Sequence, residues 1–273
     1  MEIAPGVHNI LTDLEHSTGV TNTYLIVGTQ GAAFVDTGWD RPGEAAARID
    51  YWQRLGKPPL KGIAVTHRHP PHWGNAPAIQ RACGGAPIIA TFAEKPEIEA
   101  RMQGAKVDRP VRDGETLSLG NLTLELVEAP GHTYGSLAVF VRETRALFSG
   151  DNIMGSGSSV VNPGEGEIAL YLQTMVKFLR YDPAVIFPGQ GPVVRDPRAK
   201  IEGLIQHRIE REQQIIGMLA KAPRSAEQIA DTLYTGLREG LMRLARNQVK
   251  SQLIKLEKEG KVLVDGDIYR LAT

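Results

Sequence analysis

The stretch Thr66-His67-Arg68-His69-Pro70-Pro71-His72 decides how this chain is read. It holds three histidines within six residues, directly after the apolar run Gly62–Val65. His67 and His69 are two apart, and on extended backbone side chains two apart point the same way. Both rings then reach one metal ion. Arg68 between them reads as a solvated loop residue. Pro70 and Pro71 fix φ and disfavour α geometry in the residue before each ring, which stiffens the loop.

Working outward, three more segments share one design: a polar residue on a Gly-containing turn just beyond a strand. They are Ala129-Pro130-Gly131-His132-Thr133, Phe148-Ser149-Gly150-Asp151 and Phe187-Pro188-Gly189-Gln190-Gly191. Rigid strands joined by variable loops are where sites are usually built. Val35-Asp36-Thr37-Gly38 is a further turn, in which Asp36 reads as a support beneath the histidine loop. His8, His16 and His207 have no partner pattern and read as structural or exposed. Cys83, the only cysteine, sits between Ala82 and Gly84-Gly85 and reads as structural.

In this order and spacing the segments resemble the metallo-β-lactamase superfamily. With Gly155-Ser156-Gly157, Pro188-Gly189-x-Gly191-Pro192-Val193, His207-Arg208-x-x-x-Arg211-Glu212 and Lys255–Gly260, the chain is similar to the winged-helix-bearing branch. That branch holds an endoribonuclease and hydrolases of small esters or thioesters. The resemblance implies an αββα sandwich. It also implies a first metal subsite at His67, His69 and His132, with Asp151 bridging to a second metal. The second subsite would use an Asp at 71, His72 and a His at 190, but this chain has Pro71 and Gln190 there. Both departures fall in the second subsite.

The expectation is therefore a mononuclear metal-dependent hydrolase. Zinc, or manganese or iron, is held by His67, His69, His132 and Asp151, and His72 and Asp151 handle the proton. Three imidazoles and a water make the zinc arrangement that brings the water's pKa to ~7. A small-molecule ester, thioester or lactone is then cleaved by metal-bound hydroxide. Gln190, Tyr134 and Asp36 flank the site: Gln190 as a weak amide ligand or a partner of the attacking water, Tyr134 facing substrate or packed in the core. Substrate choice is expected in Met154–Gly166, Tyr134 and the helices after 198. Gly155–Ser159 is either a plain loop or an anion-binding one. Two other readings remain: an endoribonuclease on single-stranded RNA, and a metal-free descendant with a binding or lyase-like role.

The bulk properties fit one large domain or a domain plus an appendage. The 273 residues are 42% hydrophobic and 23% charged, with 31 basic and 31 acidic side chains. Net zero charge supplies no global attraction to nucleic acid or membrane. No apolar run reaches the ~18–20 residues of a membrane span. A lone cysteine and no visible secretory signal in Met1–Gly6 lead to a cytoplasmic expectation.

Strands are expected at Val7–Leu11, Thr23–Val27, Ala32–Asp36, Gly62–Thr66, Ile88–Ala90, Thr116–Leu119, Leu122–Ala129, Ser136–Val141, Ala146–Phe148 and Val185–Phe187, with helices at Glu44–Leu55, Asn75–Ala82 and Glu167–Leu179. This α/β pattern gives a catalytic domain over 1–197. Residues 198–273 form a helical winged-helix-like domain. Ala199–Leu219 is helical, Ser225–Gln228 is a capping box, Arg238–Glu259 is a longer helix, and Asp265-Gly266 turns a hairpin. Arg243, Arg246 and Lys250 share a helix face. The tail's surplus is only four positive charges, which counts against nucleic acid. Leu237, Leu241, Leu244, Val249, Leu253, Ile254 and Leu256 read as core. The tail is expected to cap the mouth of the site or to build a homodimer.

Overall fold

The computed structural model describes residues 1–11, 21–102 and 105–272; His16 lies outside the described residues. The chain divides into two compact units. One comprises Met1–Ala129, Gly135–Ser159 and Arg180–Arg198. The other comprises Pro130–Tyr134, Val160–Leu179 and Ala199–Thr273.

The first unit opens with β1 (Glu2–Ala4), β2 (Val7–Asn9), β3 (Tyr24–Gly28), β4 (Gly31–Val35), α1 (Glu44–Arg54), β5 (Leu60–Ala64), α2 (Pro70–Trp73), α3 (Ala76–Ala82), β6 (Ile88–Thr91), α4 (Lys95–Glu99) and β7 (Arg109–Val111). The seven strands pair in chain order. Then follow β8 (Glu115–Ser118), β9 (Thr123–Glu128), β10 (Leu137–Val141), β11 (Ala146–Gly150) and β12 (Val185–Pro188), while α5 (Ile168–Tyr181), which precedes β12 in the chain, belongs through Leu179 to the second unit. These strands supply a five-stranded sheet in the order β12-β11-β10-β9-β8. The result is the expected α/β sandwich.

Alternation along the strands decides what each face meets. In β3 and β4, Tyr24, Ile26, Ala33 and Val35 join a core shared with Leu126, Val139, Phe148 and Phe187 of the second sheet. The intervening Leu25, Ala32 and Phe34 face the opposite way, into a second core with Trp52, Ile79 and Ile98 of the covering helices. Strands buried on both faces read as continuous apolar runs, and these do. Aromatic rings reinforce the end of the second sheet: Phe148 stacks on Phe187 at 5.0 Å and meets Tyr24 edge-on at 5.1 Å. Such pairs are worth about 0.5–1.5 kcal/mol each beyond burial. The Tyr24 hydroxyl donates to Pro188 O at 2.9 Å, fixing the end of β12.

In the second unit, α6 (Pro197–Leu219), β13 (Arg224–Ser225), α7 (Ala226–Leu233), α8 (Glu239–Lys258), β14 (Val262–Asp265) and β15 (Ile268–Leu271) form three helices and a small sheet in the order β13-β15-β14. The capping box is complete: Ser225 Oγ accepts from Gln228 N–H at 3.2 Å, and Gln228 Oε1 accepts from Ser225 N–H at 2.9 Å. Val249, Leu253 and Leu256 are core, with Ile215, Ile229 and Tyr269. Leu237 and Leu241 are not: they are 39% and 51% exposed. They flank the start of α8, where the helix has not yet reached its partners. Arg243, Arg246 and Lys250 do share a face, and line one cavity of about 600 Å³. Among the described residues, no helix is long and apolar enough to cross a membrane.

Candidate metal centre

Two parallel strand pairs of the first unit carry the candidate residues. β4 runs parallel to β5, with Val35 opposite Ala64, and β11 runs parallel to β12, with Gly150 beside Pro188. Parallel neighbours end at the same edge, so the residues just past each end lie side by side. β4 delivers Asp36, β5 Thr66 and His67, β11 Asp151, and β12 Gln190. The sheets are joined at this edge by Leu137 N–H donating to Thr66 O at 2.7 Å. Gly150, at φ +52°, makes the approach possible: a Cβ there would lie 2.8 Å from Thr66 Cβ.

The histidine loop departs from an extended reading. His67 to His69 form a bend, in which His69 is extended at φ −74°, ψ 137°. Even so His67 Nε2 and His69 Nδ1 lie 2.9 Å apart. Pro70 and Pro71 are helical rather than excluded from helix: they occupy the opening positions of α2. In a first turn no partner is needed for the missing N–H groups, so two prolines are tolerated. His72 N–H closes the turn on His69 O at 3.0 Å. The double proline thus starts the helical turn that presents His72.

Asp36 orients two rings with one carboxylate. Its Oδ2 receives His72 Nδ1–H at 2.7 Å, and Thr66 donates to it twice: N–H to Oδ1 at 2.8 Å and Oγ1–H to Oδ2 at 2.9 Å. Because the Thr66 hydroxyl hydrogen is directed at Asp36, its 3.0 Å contact with His67 Nδ1 has the imidazole N–H donating. Both rings therefore hold their proton on Nδ1 and turn Nε2 toward Asp151. Supporting carboxylates that fix a ligand's tautomer are a recurring feature of metal sites. Asp36 itself takes a left-handed φ of 57°.

On the facing side, Asp151 Oδ2 lies 3.4 Å from His72 Nε2 and 4.0 Å from His67 Nε2. Gln190 Nε2–H donates to the same oxygen at 2.7 Å. The amide is thus bound to the carboxylate through its nitrogen. His67 and His72 are fully buried and Asp151 is 6% exposed. Burial lowers the His72 pKa, but the Asp151 and Asp36 carboxylates outweigh it and push the ring up to about 10.

Arg68 overturns its expectation. It is 7% exposed and makes a bidentate ion pair with the fully buried Glu94, Nε and Nη2 both donating at 2.9 Å. Glu94 also accepts from Arg68 N–H at 2.8 Å and from Gly135 N–H at 3.1 Å. The loop is thereby clamped from below. Glu94 lies 26 residues away, and no local pattern announces it.

The remaining candidates fall as follows. His132 belongs to the Pro130–Tyr134 segment of the second unit, where its Nδ1 donates to Val160 O at 2.7 Å. That bond leaves the ring's lone pair on Nε2. Tyr134, in the same segment, is 41% exposed and so is not core. His8 is buried against Tyr51, with Nδ1 3.1 Å from the phenol oxygen. Cys83 is buried, which pushes its thiol up to about 11.

The donor set of the first unit suits a divalent metal. Ligand atoms ~2.0–2.1 Å from a tetrahedral zinc lie roughly 3.3 Å apart. The spacings of 2.9, 3.4 and 4.0 Å among His69, His67, His72 and Asp151 bracket that value. Imidazole and carboxylate are the ligand types zinc, manganese and iron accept. His67, His72 and Asp151 together form a buried group able to hold an ion.

Comparison with known proteins gives concordant matches. The profile described as "Metallo-beta-lactamase superfamily" matches residues 16–190, and "Beta-lactamase associated winged helix domain" matches residues 225–270. The chain is 31% identical to "Beta-lactamase-like protein 2 homolog" of Drosophila melanogaster, covering 89% of this chain and 84% of that one. It is 27% identical to "Atrochrysone carboxyl ACP thioesterase" of Emericella nidulans, covering 89% and 76%. A beta-lactamase domain protein from Burkholderia ambifaria superposes with a TM-score of 0.85 at 23% identity, covering all of this chain and 93% of that one.

Proposed function

Because the chain belongs to the metallo-beta-lactamase superfamily, we propose that it is a hydrolase using one metal ion to cleave a small-molecule ester, thioester or lactone. The observation that carries this is the orientation of His67 and His72 by Asp36, so that both Nε2 atoms face Asp151 in a buried group. His67, His69, His132 and Asp151 would hold the ion, which is zinc in the first instance. A bound zinc supplies an acidified water and a Lewis acid toward a carbonyl.

The chain's own groups divide the other tasks. Asp36 holds His72 with its Nε2 toward Asp151. Placed beside Asp151 in this way, His72 would handle the proton that passes to the departing sulfur or oxygen. The overall change is simple: the acyl carbon gains an oxygen from water, its bond to sulfur or oxygen breaks, and the leaving atom takes a proton. Gln190 favours one metal over two. Its N–H gives Asp151 the positive partner that a second cation would otherwise supply, and Pro71 offers no ligand atom.

A small acyl compound fits the charge pattern better than nucleic acid. Arg246 on α8 is engaged by Asp231 at 3.2 Å, which removes one cation from the shared face. The thioesterase among the relatives favours a thioester. A single buried cysteine is in keeping with a cytoplasmic location. The test is metals per chain by elemental mass spectrometry, on protein purified without chelator or nickel, followed by a thioester and ester panel. About one zinc per chain, lost with activity in His67→Ala, is expected. No metal taken up from excess zinc, or an unaltered rate in His67→Ala, overturns the reading.

A further inference from the structure

Beside Gln190 the first unit holds a cleft of about 480 Å³, within the size range of ligand sites. Leu11, Met154, Pro192 and Val193 give it a mainly apolar lining, and Gln190 also lines it. Gln190 is the residue whose amide donates to Asp151 Oδ2. The cleft is therefore one side chain away from the donor set.

Its shape depends on two loops pressed together. Gly155 N–H donates to Gln190 O at 2.8 Å. A Cβ on Gly155 would lie 2.2 Å from Pro192 O and 2.4 Å from Pro192 N, so only glycine allows this approach. The Gly155-Ser156-Gly157 and Gly189-x-Gly191-Pro192 motifs thus meet to form one wall. Leu11 is 54% exposed, a large apolar side chain at the cleft rim.

The amide groups of Asn22 and Gln190 here are engaged, whereas Asn9 Oδ1 is buried and accepts no hydrogen bond among the described residues. Asn22 Nδ2 donates to Pro188 O and Gly191 O at 2.9 and 2.8 Å, and Asn22 Oδ1 accepts from Asn9 Nδ2 at 3.0 Å. Gln190 is bound at both its side-chain nitrogen and its backbone oxygen. Apart from Asn9 Oδ1 and the Ser156 hydroxyl, the lining offers a guest mainly apolar surface, which suits an apolar chain better than a highly polar one.

We propose that this cleft receives the acyl chain of the substrate and selects thioesters with an apolar, medium-length acyl group. What the cleft feeds rests on the hydrolase reading; what it binds does not. Each methylene moved out of water contributes ~0.8 kcal/mol, so two or more favour a longer chain by about tenfold.

Two readouts separate the claims. The first is kcat/KM for acetyl and decanoyl N-acetylcysteamine thioesters. The second is calorimetric binding of decanamide, which is not cleaved on the timescale of the measurement. Both use the full chain, with Met154→Trp to fill the cleft and Leu11→Asp to charge its rim. Leu11 is exposed, so its variant should fold even if the larger change at 154 does not. The expected result is a decanoyl preference of about tenfold or more, lost in either variant together with decanamide binding. Decanamide binding lost in the variants while no thioester is cleaved would keep the cleft and sink the hydrolase reading. Thioester cleavage without chain-length preference, or decanamide binding indifferent to both substitutions, would overturn the cleft.

Discussion

The two sides of the candidate metal centre are built to different standards. On the first sheet the groups around the donors are braced more than once. Asp36 receives three hydrogen bonds, Thr66 links it to His67, and Arg68 is tied to Glu94 by three more. On the second sheet Asp151 faces the histidines with Gln190 as a side-chain donor. The two positions that depart from the ligand pattern the resemblance implies are Pro71, at the start of α2, and Gln190, just after β12. Neither belongs to the braced network. The difference teaches that a ligand can be exchanged where few other groups depend on it.

The largest effect should come from the braced side. Glu94→Ala leaves the buried Arg68 charge without its main partner, and breaking such pairs costs about 3–5 kcal/mol. Urea unfolding measures it. A loss under about 1 kcal/mol would mean that the clamp contributes little. Next is Asp36→Asn, which frees two imidazole orientations at once. Metal affinity should fall about 10–100-fold, read by competition with a chelating dye. An unchanged affinity would remove Asp36 from the orienting role.

A smaller and pH-dependent effect follows from His72 in metal-free protein. The Asp151 and Asp36 carboxylates push its folded pKa up to about 10, above the ordinary imidazole value of 6.5. Folding therefore favours the protonated ring, and that stability is fully present below about pH 6.5. It is lost as pH rises through about 10. Urea midpoints between pH 6 and 10.5 should fall with rising pH, and Asp36→Asn should flatten the slope. The smallest effect belongs to the altered side. Gln190→Leu removes one hydrogen bond from a carboxylate, worth about 1.5–3 kcal/mol or less, and should lower metal affinity only several-fold. If Gln190→Leu proved worse than Asp36→Asn, the contrast between the two sides would be reversed. The double variant Pro71→Asp with Gln190→His sharpens the same comparison: metal content should move from about one toward two per chain.

Much of this was visible in the residues. Central strands such as β3 and β4 announce themselves because both faces are buried and apolar. The capping box and the Asp265-Gly266 turn are local signals, and they formed where expected. Asp36, Asp151 and Gln190 were legible because each follows a strand on a glycine-containing turn, and the histidine loop because three histidines crowd into six residues after an apolar run. What escaped is non-local or short. Glu94 reaches Arg68 across 26 residues, and a bidentate pair leaves no periodic mark. β1 and β7 have three residues each, too few for alternation to register. The helical start at Pro70-Pro71 was hidden because proline rules for helix interiors do not apply to a first turn. Leu237 and Leu241 carry the right spacing for core but sit before the helix meets its neighbours.

The parallel strand pairs have one more consequence. Every donor of the first unit hangs beyond the end of a strand, outside both hydrophobic cores. Chemistry and durability are thereby written on different residues. A lineage can trade one ligand for another, or a laboratory can graft a new set, while Phe148, Phe187 and the strands beneath stay as they are. Pro71 and Gln190 both sit at that rim, where a change of side chain leaves the apolar contacts of the scaffold untouched.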